Sequence, residues 1–282
     1  MVEHSTIWGT SGHIESSWSI SVVFDNLKPV KPMIKKTAYV TGGLGLIGNS
    51  VCAKFQSEGY ECVVLDLCET EYEISQAKKM RAEFFDVSDV SSLKEKINSF
   101  FHETAARPDV WVNCAYPKTD KFGTSSEGSL DYQDWRHNVD IQMSSACFIS
   151  SEVARLMSQS GGGAIVNIAS IYGMRAPRFE IYNETELSMP PAYSAIKAGI
   201  INYSRQLAVF YASRGVRINC VSPGGVYNNQ NETFTRNYNS AVPIGRLANP
   251  DEIAAPVFFL SSDDSSYITG VNMPVDGGWT AT

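Results

Sequence analysis

Short apolar runs recur along the chain from about residue 36 onward: TAYVT, ECVVLDL, AEFFDV, DVWVNCA, GAIVNIAS, VRINCVSPG and TGVNMPVDGG. Several are apolar on both alternating faces, the pattern of strands covered by helices on each side rather than strands with one wet face. Between them lie amphipathic spans that begin near Leu46, Ser91, Tyr132, Pro191 and Pro250. This alternation predicts an α/β domain with a doubly wound parallel sheet of about seven strands and helices on both faces. Residues 34–282 carry the rhythm as one domain, with no repeat of the solenoid kind. Residues 1–33 do not. They are Ser-rich, hold Trp8, Trp18 and Phe24 as scattered aromatics, and end in KPVKP, whose prolines oppose helix. They read as an N-terminal extension, either poorly ordered or packed on a neighbouring subunit.

With 282 residues, 43% of them apolar, the chain can bury one large core. A formal net charge of −7 opposes any broad grip on nucleic acid, which needs a basic face. No apolar run approaches the roughly 20 residues that cross a bilayer, and the first 33 residues lack the basic and apolar blocks of a secretory leader. Cys52, Cys62, Cys68, Cys114, Cys147 and Cys220 show no C-x-x-C or Cys/His spacing and read as small reduced core residues. The expectation is a soluble cytoplasmic protein without a membrane or nucleic-acid partner. His4, His13, His102 and His137 are scattered, so no metal site is expected.

One loop carries chemistry. In YVTGGLGLIGN, Gly43, Gly45 and Gly48 fit G-x-G-x-x-G, whereas Thr41, Gly42, Gly45 and Gly48 fit T-G-x-x-G-x-x-G. The loop follows a strand and opens a helix, so its backbone N–H groups, with Leu46 and Ile47 in the first turn, can meet a dinucleotide pyrophosphate. Asp66 ends the next strand, 18 residues after Gly48, where an acid hydrogen-bonds ribose hydroxyls and repels a 2′-phosphate. With no Lys or Arg between Gly42 and Gly48, NAD(H) is expected over NADP(H). Asp86, with Val87 beside it, ends another strand, to meet the adenine edge or to cap the next helix.

Further on, PAYSAIKAGI sets Tyr193 and Lys197 four apart, on one face of a helix. A neighbouring ammonium favours the phenolate and would lower the phenol pKa toward working pH.

Taken in order, TGGLGLIG, Asp66, DVSD, VNCA, NIASIYG, YSAIK, VRINCVSPGG and ITGVNMPVDGG resemble the compact, single-domain branch of the short-chain dehydrogenase/reductase family. The resemblance runs from about Lys35 to Gly278 and implies a Rossmann-like fold. It also implies that Tyr193 is the acid/base, that Lys197 binds the nicotinamide ribose and that Ser170 holds the substrate oxygen. Pro223, Gly224 and Val226 would pass the carboxamide, and Asn113 and Ala115 would end the strand beneath the nicotinamide. At the position of the family's helix Asn stands Gln142, with Asn138 one turn earlier as the other candidate for a proton relay. Tyr116 would line the substrate pocket or simply pack over the loop.

The 22 residues between Ser170 and Tyr193 exceed the family's usual spacing. Arg175 and Arg178 there would grip a substrate phosphate or carboxylate, or stay solvated. The polar segment GGVYNNQNETFTRNYNS suits a hydroxylated substrate better than an acyl chain. With the Pro-Pro before YSAIK, these features are similar to flagellin-modification and surface-sugar oxidoreductases of bacteria. The expected activity is NAD(H)-dependent interconversion of a secondary alcohol and a ketone on a sugar or nucleotide-sugar, by a homodimer or homotetramer. A 3-oxoacyl thioester or simple polyol is the alternative substrate, and an epimerase or dehydratase the alternative reaction.

Overall fold

The computed structural model describes residues 35–67, 80–104, 108–122 and 131–282. The N-terminal extension and Cys68 lie outside the described residues.

Seven strands form one parallel sheet: β1 (Thr37–Thr41), β2 (Glu61–Asp66), β3 (Arg81–Phe84), β4 (Val110–Asn113), β5 (Gly163–Ile168), β6 (Val216–Pro223) and β7 (Asn272–Val275). Their order is β3-β2-β1-β4-β5-β6-β7, so the direction of winding reverses between β1 and β4. The crevice at such a switch point, outside the carboxyl ends of the strands, is where doubly wound folds bind ligands.

Alternation along the strands supplies both faces of the core. Tyr39, Val63, Leu65, Trp111, Ile165 and Ile218 point to one side. There they meet helices α2 (Leu93–Thr104), α4 (Ser145–Gln159) and α5 (Tyr193–Tyr211). Ala38, Val40, Val64, Val112, Val166 and Val221 point to the other, against α1 (Leu46–Ser57) and α7 (Pro250–Ser261). The strands at the two edges of the sheet, β3 and β7, are only partly buried.

Between β4 and β5, α3 (Tyr132–Asn138) is capped by Asp131, whose side chain accepts from the Gln133 and Asp134 amides. It continues through one π-helical stretch, Val139–Ser144, into α4. Helix α6 (Glu232–Ala241) is an element the sequence pattern did not predict. Asn231 caps it by accepting from the Phe234 amide at 2.7 Å.

Candidate active site

The loop after β1 turns sharply because Gly42 takes φ +67°, a region unfavourable to side chains. Gly48, in the first turn of α1, lies so close to the Gly42 carbonyl that a Cβ there would sit 2.0 Å from that oxygen. The structure therefore depends on the T-G-x-x-G-x-x-G spacing. No side chain caps α1 and no acid stands in its first turn, so its free N–H groups and positive dipole end favour an anion. Asp66 braces this loop from the end of β2: Oδ2 accepts from the Leu44 amide at 2.8 Å and Oδ1 from the Leu67 amide at 2.9 Å.

A cavity of about 690 Å³ runs along the strand ends. Asp66, Asp86, Val87 and Ser88 line one end; Gly42, Gly45, Leu46, Ile47 and Gly48 the middle; Ala115, Ser170, Tyr193, Lys197, Pro223, Gly224 and Val226 the other. That volume falls in the range of cofactor sites. The bare helix end suits a pyrophosphate and the acid beyond it a ribose, so the residues fit a nicotinamide dinucleotide. Among the described lining residues Lys197 is the only cation.

Ser170, Tyr193 and Lys197 meet at the inner end. Ser170 caps the turn Ile171–Gly173, its Oγ accepting from the Tyr172 amide at 3.2 Å, which leaves its own proton free to donate elsewhere. Tyr193 opens α5, its amide bonded to the Pro190 carbonyl at 3.1 Å, and Lys197 follows one turn on, on the same face. The Lys197 ammonium donates to the Ile168 carbonyl at 3.1 Å and lies over the Tyr193 ring, 5.6 Å from its centroid.

Burial pushes Lys197 down to about 8, opposed only by the Cys114 and Cys220 thiols. The phenol does not carry the expected depression. Burial pushes Tyr193 above its ordinary value, the adjacent Ser170 hydroxyl draws it back, and the nearby Tyr182 phenol adds to the rise.

A second cavity of about 230 Å³ opens beside these groups. Its walls are largely aromatic: Tyr116, Tyr172, Tyr182, Phe234 and Tyr238, with Met189 and Ile181. Four of the five aromatics were not expected from the sequence. Tyr172 and Tyr182 come from the segment between Ser170 and Tyr193, and Phe234 and Tyr238 from α6. Their i, i+4 spacing was the available signal, hidden by the polar residues around them. The segment GGVYNNQNETFTRNYNS, expected to meet the substrate through its polar residues, instead turns Phe234 and Tyr238 toward the cavity. Asn237, on another face, bonds the carbonyls of Ile181 and Asn183 and so fastens the two walls together.

Five other expected site residues stand outside both cavities. Thr41 stitches β1 to β4, its Oγ1 accepting from the amides of Cys114 at 3.2 Å and Ala115 at 3.4 Å. Asn113 lies beneath the floor: its Nδ2 donates to Asn167 Oδ1 at 2.7 Å and Ser150 Oγ at 3.0 Å, and its Oδ1 accepts from Trp111 Nε1 at 2.8 Å.

Arg175 and Arg178 line neither cavity, because the C-terminal segment offers them partners. Arg175 donates to the Thr280 carbonyl at 3.2 Å. Arg178 donates to the Ala241 carbonyl at 3.1 Å and to Thr282 Oγ1 at 2.6 Å, and stacks over Trp279 at 4.7 Å. Gln142 is buried in the π-helical stretch, donating from Nε2 to Asn138 Oδ1 at 3.1 Å, with its Oε1 unpartnered.

Residues 45–280 match a family model described as enoyl-(acyl carrier protein) reductase. An acetoacetyl-CoA reductase of Allochromatium vinosum is 34% identical over 257 residues, covering 86% of this chain and 98% of that protein. The post-translational flagellin modification protein A of Campylobacter coli is 28% identical, covering 86% and 98%. A crystal structure of a short chain dehydrogenase from Leptospira borgpetersenii with bound NAD+ superposes with a TM-score of 0.76 at 32% identity, covering 87% of this chain and 93% of that one.

Proposed function

The chain belongs to the short-chain dehydrogenase/reductase family, and from that footing we propose an NAD(H)-linked oxidoreductase that interconverts a secondary alcohol and a ketone on a compact, sugar-like substrate. The observation that carries this reading is the meeting of Ser170, Tyr193 and Lys197 where the larger cavity adjoins the aromatic one. NAD(H) is favoured over NADP(H) because the Asp66 carboxylate faces the ribose end and the described lining there holds no cation to receive a 2′-phosphate.

A bound nicotinamide would supply the hydride-transfer chemistry. The chain's own residues hold the substrate oxygen and manage its proton. In the reductive direction Ser170 Oγ donates a hydrogen bond to the carbonyl oxygen, and Tyr193 donates the proton from its hydroxyl. Lys197 stabilises the phenolate that remains, against the desolvation that otherwise holds the proton on. Gln142 serves as the amide of a proton relay: it is buried on a stretch that packs against α5, and its free oxygen can hold a water.

The tyrosine hydroxyls around a small cavity support a hydroxylated substrate, whose C–H faces stack on the rings. The similarity to a flagellin modification protein points the same way. A second reading, a short 3-oxoacyl thioester, is favoured by Phe234, Met189 and Ile181 in the wall and by the acetoacetyl-CoA reductase relative. We further infer a soluble cytoplasmic homodimer or homotetramer. No described helix is long and apolar enough to cross a membrane, and Phe148 on α4 and Val209 and Phe210 on α5 stand exposed.

One experiment tests the scheme: NADH turnover of the parent chain and of Tyr193→Phe across free sugars, nucleotide-sugars, polyols and acetoacetyl-CoA. The parent should turn over a hydroxylated ketone, and the variant should bind NADH normally while losing at least about 100-fold in rate. Undiminished turnover in the variant refutes the role of Tyr193. Preference for acetoacetyl-CoA replaces the sugar reading, and cofactor absorbance that never changes while product forms points to an epimerase.

A further inference from the structure

The Lys197 ammonium is buried, yet among the described residues only one of its three donors has a partner, the Ile168 carbonyl. The titratable groups facing it are the Cys114 thiol at the end of β4, the Cys220 thiol on β6, and two phenols. Burial pushes both thiols well above their ordinary values, which keeps them neutral. Two aromatic faces remain. Nζ lies over the Tyr116 ring at 5.4 Å and over the Tyr193 ring at 5.6 Å. The two rings meet edge to face, their centroids 5.9 Å apart and their planes at 86°, so the ammonium sits in the angle between them. Phe122 holds the Tyr116 ring from a further side, edge to face at 6.0 Å.

We propose that Tyr116 is a positioning residue for Lys197, its ring face holding the ammonium at the junction of the two cavities by a cation–π contact. A buried cation with no carboxylate among the groups that face it is stabilised by the negative face of an aromatic ring, and the hydroxyl plays no part in that attraction. Tyr116 lines both cavities, so the same ring that holds the cation also forms the boundary between cofactor and substrate spaces. The consequence for turnover rests on the oxidoreductase reading above; the placement of the ammonium does not.

The test is an NMR titration of Lys197 in the full chain labelled at lysine 13Cε, with Lys197→Met assigning the resonance. Tyr116→Phe keeps the face and removes the hydroxyl; Tyr116→Leu keeps an apolar neighbour and removes the face. The Phe variant should titrate with the parent, and the Leu variant about one pH unit lower. An unchanged Leu variant overturns the proposal, and so does a Phe variant that falls as far as Leu, which would assign the effect to the hydroxyl. Tyr116→Met is read as Leu is, should Leu fail to fold. Because the titration needs no turnover, the expected shifts in a chain without redox activity would uphold this placement and remove the oxidoreductase reading alone.

Discussion

At Lys197 folding and chemistry pull in opposite directions. Burial lowers its pKa to about 8, from an ordinary value of 10.5, so the folded chain carries the cost of a desolvated ammonium wherever both folded and unfolded states are protonated. As pH rises from about 8 toward 10.5 the folded state releases this proton first, and stability rises through that window. Lys197→Met removes the effect. Urea unfolding at pH 8 and 9.5 should show the parent gaining about 1.5 kcal/mol relative to the variant, which also cancels the tyrosines and thiols common to both. A constant difference between the two chains would mean that the ammonium is already well solvated. Tyr193 is the complementary case: burial pushes its phenol above the ordinary value, which suits the proton donor of the proposed scheme.

Two devices hold the elements around these residues. Under the site, Asn113 on β4, Ser150 on α4, Asn167 on β5 and Ser204 on α5 form a continuous buried chain of hydrogen bonds. It fixes the end of β5, from which Ser170 follows, against the helix that bears Tyr193. Asn167→Ala leaves the Asn113 amide and the Ser204 hydroxyl short of partners, and should cost about 2–4 kcal/mol in chemical denaturation. A loss below about 0.5 kcal/mol would mean that water replaces the amide. Above the site, the aromatic stripe of α6 leans on the C-terminal turn. Tyr238 stacks on Trp279 with centroids 4.9 Å apart, and Arg178 also lies over the Trp279 ring. The Tyr238 hydroxyl in turn accepts from the Gly225 amide, tying the aromatic wall to the loop after β6.

On the scale of the molecule, the sheet is covered on both faces, yet apolar groups remain outside. Phe148 on α4 and Val209 and Phe210 on α5 form exposed apolar surface of the kind that pairs subunits. Light scattering should find a dimer or tetramer, and Val209→Glu should shift it toward smaller species by placing a carboxylate in the contact; a monomeric parent chain would contradict this. The sheet, its helices, the glycine turn and the Tyr193–Lys197 pair were legible from the chain because each depends on neighbours within a few residues, through alternation, helical period or turn chemistry. Other features depend on partners far away along the chain. Arg178 took Trp279 and Thr282 instead of a substrate anion, and the partners through which Asn113 pins the end of β4, Asn167 and Ser150, come from distant segments. The wall of the smaller cavity became aromatic because packing chose Phe234 and Tyr238 from among polar neighbours. Spacing along the chain thus determined which chemistry is present, while the three-dimensional packing decided what that chemistry faces, since desolvation and ring contacts exist only between segments that folding brings together.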